Sequence, residues 1–542
     1  MSECRTIGTF DYIVIGAGSA GCVVANRLSA DPRKRVLVLE AGGQDDWIWF
    51  HVPVGYLYAI GNPRADWLFQ TEPQEGLGGR ALAYPRGKVV GGSSAINAMI
   101  YMRGQAADYD GWRQMGLSGW GWDDVLPLFL KHEDHIAPGE NGMHRSGGEW
   151  RVEHPRIRWA ILDAIRDAAE SAGIAKIEDF NTGDNEGSAY FQVNQRRGRR
   201  VTSYRAFLVP ALERGNVRLE IGVLVERVVV ENGRATAVEF THAGEKLRAE
   251  ASGEIVLSAG AVGSPAILER SGIGDGARLQ ALGIETVANL PGVGENLQDH
   301  LQIRPVYKVE GVRTLNSDYA KLWRRPLMAL EYAAMRTGPL TMAPSQVGAF
   351  AKSSADYTTA NLEFHFQPLS LDKWGDGLHP FGAFTASVCN LRPSSRGSVH
   401  LKTPRAEDAP AISPNYLATE EDRRVAVDAL KLARRIVSQA PLARFRPQEH
   451  SPGPAATSDE ALLEAAKVLG TTIFHPAGTV RMGRDGDTGA VLDERLRVRG
   501  IEGLRVVDAS VMPAITSGNT AAPTMMIAEK ASGMIREDAR GR

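Results

Sequence analysis

The chain contains 542 residues, of which 43% are hydrophobic and 23% are charged, a composition typical of ordinary soluble globular proteins. The 62 Lys and Arg residues nearly balance the 64 Asp and Glu residues, so the net charge of −2 gives no sign of nucleic-acid binding or strong attraction to anionic membranes. The length exceeds what a single hydrophobic core supports, and we therefore expect two interleaved domains.

The cysteine content and the apolar runs of the sequence indicate where in the cell the protein is expected. The cysteines Cys4, Cys22 and Cys389 form no visible disulfide framework, which fits a reducing cytoplasm. No apolar run approaches the ~20 residues of a membrane span, and the opening MSECRTIGTF lacks an apolar signal region. We expect a cytoplasmic protein without a transmembrane segment, while peripheral contact with the inner membrane stays open.

Residues 9–40 carry the strongest pattern in the chain. The apolar, partly β-branched residues 12–15 predict a buried parallel strand. Gly16, Gly18 and Gly21 follow as G-x-G-x-x-G, which allows a tight turn, close approach to a pyrophosphate and tight helix packing. Apolar residues at helical spacing, including Cys22 as a core residue, then predict a helix whose N-terminus points at the phosphates.

A second predicted strand, residues 36–39, ends in Glu40, 19 residues after Gly21. A carboxylate at that position accepts hydrogen bonds from a ribose in dinucleotide-binding proteins. The ordered set of strand, glycines, helix, strand and acid predicts a dinucleotide site rather than a simple glycine-rich turn. It does not distinguish NAD from FAD.

Two further stretches suit a ligand site. The aromatic-rich residues 44–67 predict either a loop packed by its own aromatics or a cover over a ligand mouth. In residues 85–112, the cluster Gly91-Gly92-Ser93-Ser94 offers backbone N–H groups and small side chains to a flat or anionic ligand. The Asn97 amide can hydrogen-bond the edge of a heterocycle.

The patterns around several other histidines favour structural roles over catalytic or metal-binding roles. His132, His135 and His144 lack the H-E-x-x-H spacing and neighbouring cysteines, so an exposed polar loop is favoured over a metal site, and no metal is predicted. His51 is interpreted as a packing or surface residue. His365 alternates within a strand-like run and is interpreted as a satisfied sheet residue.

The middle of the chain predicts a return to the first sheet. Residues 219–227 and 235–240 alternate as strands joined by a turn at Asn232-Gly233. Residues 254–259 predict a strand that runs into a helix, capped by Ser264 and opened by Pro265.

Residues 305–465 differ in character because they lack a glycine-rich phosphate loop. They contain a strand-like run at 362–366 and a helical run at 423–437. We interpret them as a separate domain, inserted into the first, that forms the other wall of a cleft. Near the C-terminus, residues 504–509 predict a strand, with Asp508 on the usual ligand side of an open α/β sheet.

Four stretches give the chain its resemblance to the glucose–methanol–choline (GMC) oxidoreductases, which are FAD-dependent enzymes that oxidise alcohols. They are GAGSAG with Glu40, GKVVGGSSAIN running to Trp112, GAVGSPAILERSGIG, and FHPAGTVRMG with SGNTAAPTMM. The chain looks most similar to the bacterial choline- and alcohol-dehydrogenase-like members.

The resemblance implies an α/β fold, α+β overall, with a Rossmann-like FAD-binding domain and an inserted mixed-sheet substrate-binding domain. The implied limits are 1–150, 215–304 and 466–542 for the FAD-binding domain, and 151–214 and 305–465 for the substrate-binding domain.

The resemblance also implies roles for single residues. His475 matches the catalytic histidine and Asn519 its partner, whereas Asp299-His300 is taken as structural. Some members bind flavin covalently through a histidine at the position of Ile96, so noncovalent FAD is implied here. The implied FAD-binding residues are Gly16, Gly18, Ser19, Ala20, Glu40, Val89, Gly92, Ser93, Asn97, Ala98, Val225, Asp508, Ala509, Thr520 and Ala521.

The implied reaction is oxidation of an alcohol, primary in our interpretation, to an aldehyde or ketone, with His475 as the general base. The expected partners are a small-molecule alcohol and a quinone or other electron acceptor, with oxygen as the alternative acceptor and no nucleic acid. Three other functions stay open: a same-fold lyase that cleaves cyanohydrins, a photodecarboxylase, and an NAD-binding regulatory protein. The sequence predicts neither the alcohol nor the oligomeric state.

Overall fold

Two β-sheets organise the chain in the computed structural model, which describes residues 4–372 and 376–541. The first sheet contains the N-terminal strand Arg5–Ile15 and gathers strands from three distant parts of the sequence. Its strands, in order across the sheet, are Val217–Ile221, Val36–Glu40, Arg5–Ile15, Glu245–Leu257, Arg234–His242 and Val223–Glu231, with Leu504–Val506 also paired to Glu245–Leu257.

The first sheet is parallel around the N-terminal strand, which pairs in parallel with Val36–Glu40 and with Glu245–Leu257. An antiparallel hairpin turns at Asn232-Gly233, as the sequence predicts. The helix Ser19–Leu28 follows the first strand, and Cys22 is fully buried in the same core. This arrangement confirms the Rossmann-like α/β prediction.

One predicted strand is wrong. Residues 219–227 do not form a single strand, because Gly222 adopts a φ of +66° and ends one strand before the next begins. Val217–Ile221 pairs with Val36–Glu40, whereas Val223–Glu231 pairs with Arg234–His242. The left-handed glycine therefore lets the chain leave the pairing with Val36–Glu40 and enter the hairpin with Arg234–His242.

The second sheet lies over the first and holds its own hydrophobic core. Although a mixed sheet was expected, every pairing between its described strands is antiparallel. Its strands, in order, are Gln448–Ser451, Val306–Lys308, Ala383–Asn390, Leu362–Gln367, Val347–Ala351 and Gly187–Tyr190, with Leu301–Ile303 joining Ala383–Asn390 to Thr471–Thr472.

The predicted domain limits stay a proposal. All strands of the first sheet fall inside the ranges predicted for the FAD-binding domain. Leu301–Ile303 and Thr471–Thr472 also fall inside those ranges, yet they pair in the second sheet.

Helices cover both sheets, and none in the described part of the chain is long and apolar enough to cross a membrane. The predicted helix at 423–437 spans Glu420–Val437, since Thr419 caps its N-terminus by accepting from the Asp422 amide. The other helices of nine or more residues are Ser19–Leu28, Ala106–Gln114, Trp122–His132, Ala160–Ser171, Gly260–Arg270, Arg324–Met335, Asp459–Leu469 and Ala521–Arg540.

The helix after Glu245–Leu257 begins earlier than predicted. It starts at Gly260, so Ser264 is not its cap and Pro265 lies inside it. Because a proline has no N–H, the Ala261 carbonyl four residues earlier is left without its helical donor. The Thr479 hydroxyl donates to that carbonyl at 2.7 Å and ties a later loop to this helix.

Candidate active site

A cavity of about 660 Å³ runs between the two sheets, within the usual size range of small-molecule and cofactor sites. At one end it is lined by the glycine turn of the first sheet, and at the other by His475 and the second sheet. All predicted site residues line this cavity except Val89, which is fully buried behind it.

Two helices begin at the cavity with free N-termini. Neither Gly18, before Ser19–Leu28, nor Thr520, before Ala521–Arg540, caps its helix with a side chain, and neither helix has an acidic residue in its first turn. Their unpaired N–H groups and positive dipole ends favour negative charge in the cavity. This is the donor pattern that a pyrophosphate or another anionic group requires.

The two glycine clusters meet across the cavity wall. A Cβ atom added at Gly92 would lie 2.7 Å from the Cα of Gly18, which is closer than real side chains approach. The absence of a side chain at Gly92 is therefore what allows the two backbones to come this close. The sequence patterns at 16–21 and 91–94 therefore belong to one binding surface.

Glu40 is buried at the end of its strand, where the sequence predicts it. Its carboxylate accepts hydrogen bonds from the amides of Ala17 and Gly42, both at 2.8 Å. Burial raises the pKa of Glu40 to about 7, although these two amides oppose the shift. The carboxylate thus holds the glycine turn and retains lone pairs for a ligand.

Asp508 and Asn97 also take part in internal hydrogen bonds. The Asp508 carboxylate accepts from the Gly260 amide at 2.8 Å and from the Ser264 hydroxyl at 2.6 Å. The Asn97 carbonyl oxygen accepts from the Met99 amide at 2.9 Å and from Arg200 Nη1 at 2.8 Å. The cavity wall is therefore fixed by its own contacts.

The backbone around His475 is held firmly. Phe474, immediately before it, has a φ of +72°, an unfavourable conformation for a non-glycine residue. The Asp299 carboxylate accepts from the His475 amide at 2.9 Å and from the Thr472 hydroxyl at 2.6 Å. Arg86 donates to the Phe474 carbonyl at 2.6 Å. These bonds fix the imidazole against the cavity.

A chain of hydrogen bonds determines the tautomer of His475. His300 Nε2 lies 3.1 Å from the Leu391 carbonyl, which can only accept, so His300 carries its proton on Nε2. The Nδ1 atom of neutral His300 is then an acceptor, and His475 Nδ1 donates to it across 3.1 Å. His475 Nε2 consequently presents a lone pair to the cavity.

The surroundings favour the neutral form of both imidazoles. Burial lowers the pKa of His300. Burial lowers the pKa of His475 well below its ordinary value, and the neighbouring His300, His365 and Arg86 lower it further. A neutral histidine whose lone pair faces the cavity is suited to accept a proton.

Asn519 lies beside that lone pair, with its Nδ2 atom 3.1 Å from His475 Nε2. Its turn is anchored by Asp108, which accepts from the Ser517 amide and the Ser517 hydroxyl, both at 2.7 Å. The Ser517 carbonyl in turn accepts from Asn185 Nδ2 at 3.1 Å. The turn that carries Asn519 is therefore anchored through Ser517, two residues before it.

The remaining walls come from residues 44–67 and from the second sheet. Trp49 stacks on Tyr58 with ring centroids 4.1 Å apart, and Tyr56 and Ile60 line the cavity. Residues 44–67 thus combine both predicted roles, self-packed loop and cover. The second sheet contributes Gln302, His365 and Gln367 to the lining, with Ser345 beside them.

His365 lies in the strand that the sequence predicts, but it also faces the cavity. Its Nε2 atom is 3.1 Å from the buried Glu363 carboxylate, and its ring stacks on Phe191. Among the described residues, Glu363, His365 and Cys389 bring potential ligand atoms within 4.8 Å of one another. The absence of a metal stays a prediction.

The interpretation of His132, His135 and His144 as an exposed polar loop is wrong, because all three are buried. His144 lies 2.9 Å from the Glu133 carboxylate and 2.6 Å from that of Asp179, and despite burial these carboxylates raise its pKa. Arg103 donates to Glu133 at 2.9 Å. The burial of His144 is therefore compensated by its pairing with Glu133 and Asp179.

Two family profiles described as GMC oxidoreductase match the chain, one at residues 10–302 and the other at residues 393–528. The chain belongs to the GMC oxidoreductase family. The predictions of this family, of an oxidoreductase enzyme and of an FAD-binding flavoprotein fold are confirmed.

Relatives span nearly the whole GMC chain. The alcohol dehydrogenase [acceptor] of Pseudomonas putida is 39% identical over 528 residues, covering 97% of this chain and 95% of the relative. The mitochondrial choline dehydrogenase of Homo sapiens is 39% identical over 535 residues, covering 97% and 90%. The crystal structure of pyridoxine 4-oxidase from Mesorbium loti is 32% identical with a TM-score of 0.88, covering 97% and 99%.

The cavity fits the FAD of this family. The free N-termini at Ser19 and Ala521, the close approach of Gly18 to Gly92, and the buried carboxylate of Glu40 suit the pyrophosphate and ribose of a dinucleotide. Sequence reasoning missed His300, Asp108 and the cavity-facing position of His365. The stretch GENLQDH was the signal for His300, but its partner Leu391 is 91 residues away.

Proposed function

We propose that this GMC oxidoreductase oxidises an uncharged primary alcohol to an aldehyde, with His475 as the general base. A secondary alcohol would yield a ketone by the same steps. The observation that carries the proposal is the lone pair on His475 Nε2, which the proton positions of His300 and His475 direct at the cavity and which accepts from Asn519 Nδ2 at 3.1 Å.

The alcohol would replace the direct hydrogen bond between Asn519 Nδ2 and His475 Nε2, so that its oxygen contacts both residues. Its O–H would donate to His475 Nε2, while Asn519 Nδ2 would donate to the oxygen. As the proton moves to Nε2, the His475 Nδ1–H remains bonded to His300, so the ring keeps its orientation. General-base catalysis of this kind contributes about 10²- to 10⁴-fold in rate.

Bound at this site, FAD would supply the hydride acceptor, flavin N5, so the alcohol would lose its O–H proton to His475 and its α-hydrogen as a hydride that carries both electrons. The free N-terminus of Ala521–Arg540 favours negative charge in this part of the cavity. Residues 44–67 cover the cavity and limit the entry of water.

The lining supports an uncharged substrate. The side chains that the second sheet and its neighbour contribute are Gln302, Ser345, His365 and Gln367, and none of these described residues is a carboxylate. A quaternary ammonium such as choline would therefore find amides and a hydroxyl here rather than an anion. Choline remains the less favoured substrate.

We further propose that FAD is held noncovalently and that a quinone or an artificial acceptor is preferred over oxygen. Ile96 lines the cavity and has no nucleophilic atom, which supports noncovalent binding. The preference for the acceptor is supported by the similarity to the Pseudomonas putida enzyme named alcohol dehydrogenase [acceptor].

An anaerobic screen tests the reaction. The holoenzyme is mixed with uncharged primary alcohols, secondary alcohols and choline, and the visible absorption band of oxidised flavin is followed. Bleaching by a primary alcohol with formation of the aldehyde is expected. A cyanohydrin that is cleaved without bleaching would instead assign the lyase reaction, and a colourless purified protein would contradict FAD.

A further inference from the structure

The helix Arg324–Met335 is apolar on two opposite sides. Met328 and Tyr332 are buried, and Tyr332 belongs to the second sheet's core. Trp323, Leu327 and Leu330 follow one another at helical spacing on the other side, where their side chains are 61%, 52% and 65% exposed. The chain's own core therefore uses only one of the two apolar sides.

Neighbouring residues add further exposed apolar side chains around this side of the helix. Leu322 is 70% exposed, and Tyr319 and Met335 are also exposed. We call Tyr319, Leu322, Trp323, Leu327, Leu330 and Met335 the apolar ridge. Large contiguous apolar surfaces are rare on monomeric soluble proteins and mark interaction sites.

The ridge adjoins the cover of the active site. Tyr58 is exposed beside Tyr319, and burial together with that phenol raises the pKa of Tyr58. Tyr58 stacks on Trp49, and Tyr56, two residues before it, lines the cavity. The surface thus runs from the helix to the segment that covers the cavity.

Cations flank the ridge. Lys321 and Arg325 lie at the beginning of the helix and Arg336 lies at its end, whereas Glu331 is the one carboxylate between residues 319 and 336. Arg324 also lies at the beginning, but its guanidinium pairs with the buried Asp318 carboxylate. The Arg325 guanidinium carbon lies 3.9 Å from the centroid of the Tyr319 ring. Lysine and arginine beside tryptophan, tyrosine and leucine form the pattern of helices that lie in a membrane interface.

We propose that the apolar ridge docks the protein on an anionic lipid bilayer, with its apolar side chains in the interface and its cations against the headgroups. A second copy of the chain fits this surface less well, because a two-fold contact would bring each cationic cluster close to its own copy. Docking places the cover of the cavity next to the lipid. Given the proposed function, an apolar acceptor or substrate could then reach the cavity from the bilayer.

Co-sedimentation of the holoenzyme with vesicles tests the proposal. The probes are phosphatidylcholine vesicles with and without phosphatidylglycerol. Strong binding to the anionic vesicles is expected, and the double substitution Leu327→Glu with Leu330→Glu should weaken it at least ~10-fold, because it places charge in the interface. Lys321→Gln with Arg325→Gln should lower binding to the anionic vesicles only.

Val468→Glu is the matched control, since Val468 is 65% exposed on the separate helix Asp459–Leu469. It should bind vesicles like the parent, and all variants should retain parental turnover with a soluble acceptor. If the parent protein sedimented with neither kind of vesicle, the proposal would be overturned. It would also be overturned if Val468→Glu reduced vesicle binding as much as the double substitution in the ridge. A lipid-independent dimer that the Leu327→Glu and Leu330→Glu pair abolishes would assign the ridge to a second copy instead. Because vesicle binding is measured without turnover, a failed proposal for the reaction would leave this result unaffected.

Discussion

His300 Nδ1 lies 3.1 Å from His475 Nδ1, and the planes of the two rings meet at 86°. Only one proton fits between two such nitrogens when both rings are neutral. The Leu391 carbonyl requires the proton of His300 on its far nitrogen, so the shared proton belongs to His475. A backbone carbonyl deep in the second sheet thereby determines which atom of His475 faces the cavity.

His475→Ala should bind FAD normally and reduce it at least ~10²-fold more slowly with the same alcohol, since the proton acceptor is lost. Much of the rate should return at high pH, where more of the alcohol is ionised. Stopped-flow reduction under anaerobic conditions measures both effects. Asn519→Ala should lose less and keep the pH dependence that His475 confers. A parental rate in His475→Ala would assign the base elsewhere.

His300→Phe should keep the FAD content but slow flavin reduction roughly 10-fold, the equivalent of one buried hydrogen bond of about 1–1.5 kcal/mol. Without its acceptor, His475 can exchange its proton between the two nitrogens, so the pH profile of the reduction rate should also change. His300→Asn retains an acceptor and should recover part of the rate. If both variants lost only thermal stability and kept the parental rate and profile, His300 would be purely structural.

Acid should destabilise the fold through His132. Burial lowers the pKa of His132 to about 4 in the folded protein, whereas the unfolded chain takes up the proton near the ordinary value of about 6.5. A lowered histidine pKa therefore costs stability as the pH falls below about 6.5, reaching about 2 kcal/mol near pH 5 for this group.

His132→Phe should remove that share of the acid sensitivity, because its ring lies among Phe129 and Phe207 and a phenyl ring fits there. Denaturant unfolding at neutral and mildly acidic pH measures the difference. The same substitution at the exposed His154 is the control. An equal pH slope in parent and His132→Phe would argue against this assignment.

Glu40→Ala should weaken FAD binding by about 1.5–3 kcal/mol, the value of a charge-assisted hydrogen bond, and loosen the turn that Glu40 holds through Ala17 and Gly42. The variant should purify with less flavin and regain activity when FAD is added in excess. Glu40→Gln keeps the shape and isolates the charge. Flavin titration with full occupancy and unchanged affinity in both variants would contradict the assignment.

Acid precipitation should release yellow flavin into the supernatant, because Ile96 offers no atom for a covalent bond. The flavin in supernatant and pellet is measured by absorbance. Colour that stays with the denatured pellet would show a covalent link through another residue.

Short sequence motifs predicted those parts of the site whose residues lie close together in the chain. The turn at Gly16 and Gly18, the strand ending in Glu40, and the cluster near Gly92 are each specified within a few residues, and all of them line one cavity. Together with the resemblance, they were enough for the family and for the Rossmann-like sheet. The roles of the individual residues stay predictions.

The missed features depend on partners far away in the sequence. The sequence around His144 predicts an exposed loop, because it does not show that Asp179 and the buried Glu133 lie within hydrogen-bond distance of the ring. The sequence likewise predicts a structural role for His300, because the contact with the Leu391 carbonyl that determines its tautomer is visible only in the structure. The break at Gly222 was missed because both flanking segments have strand character, and only the pairing partners separate them. The pattern of polar and apolar residues along the sequence does not predict contacts between residues that are far apart in the chain.

The pairing of Leu301–Ile303 with Thr471–Thr472 limits how this protein can evolve. His300 precedes one of these strands and His475 follows the other, so the two imidazoles meet through a short antiparallel ladder. Inserting or deleting one residue in either strand would turn its side chains to the opposite face and separate the rings. Insertions in exposed loops elsewhere in the second sheet would leave this spacing unchanged. Variation in length is therefore expected in those loops, while the distance along the chain from each paired strand to its histidine should stay fixed.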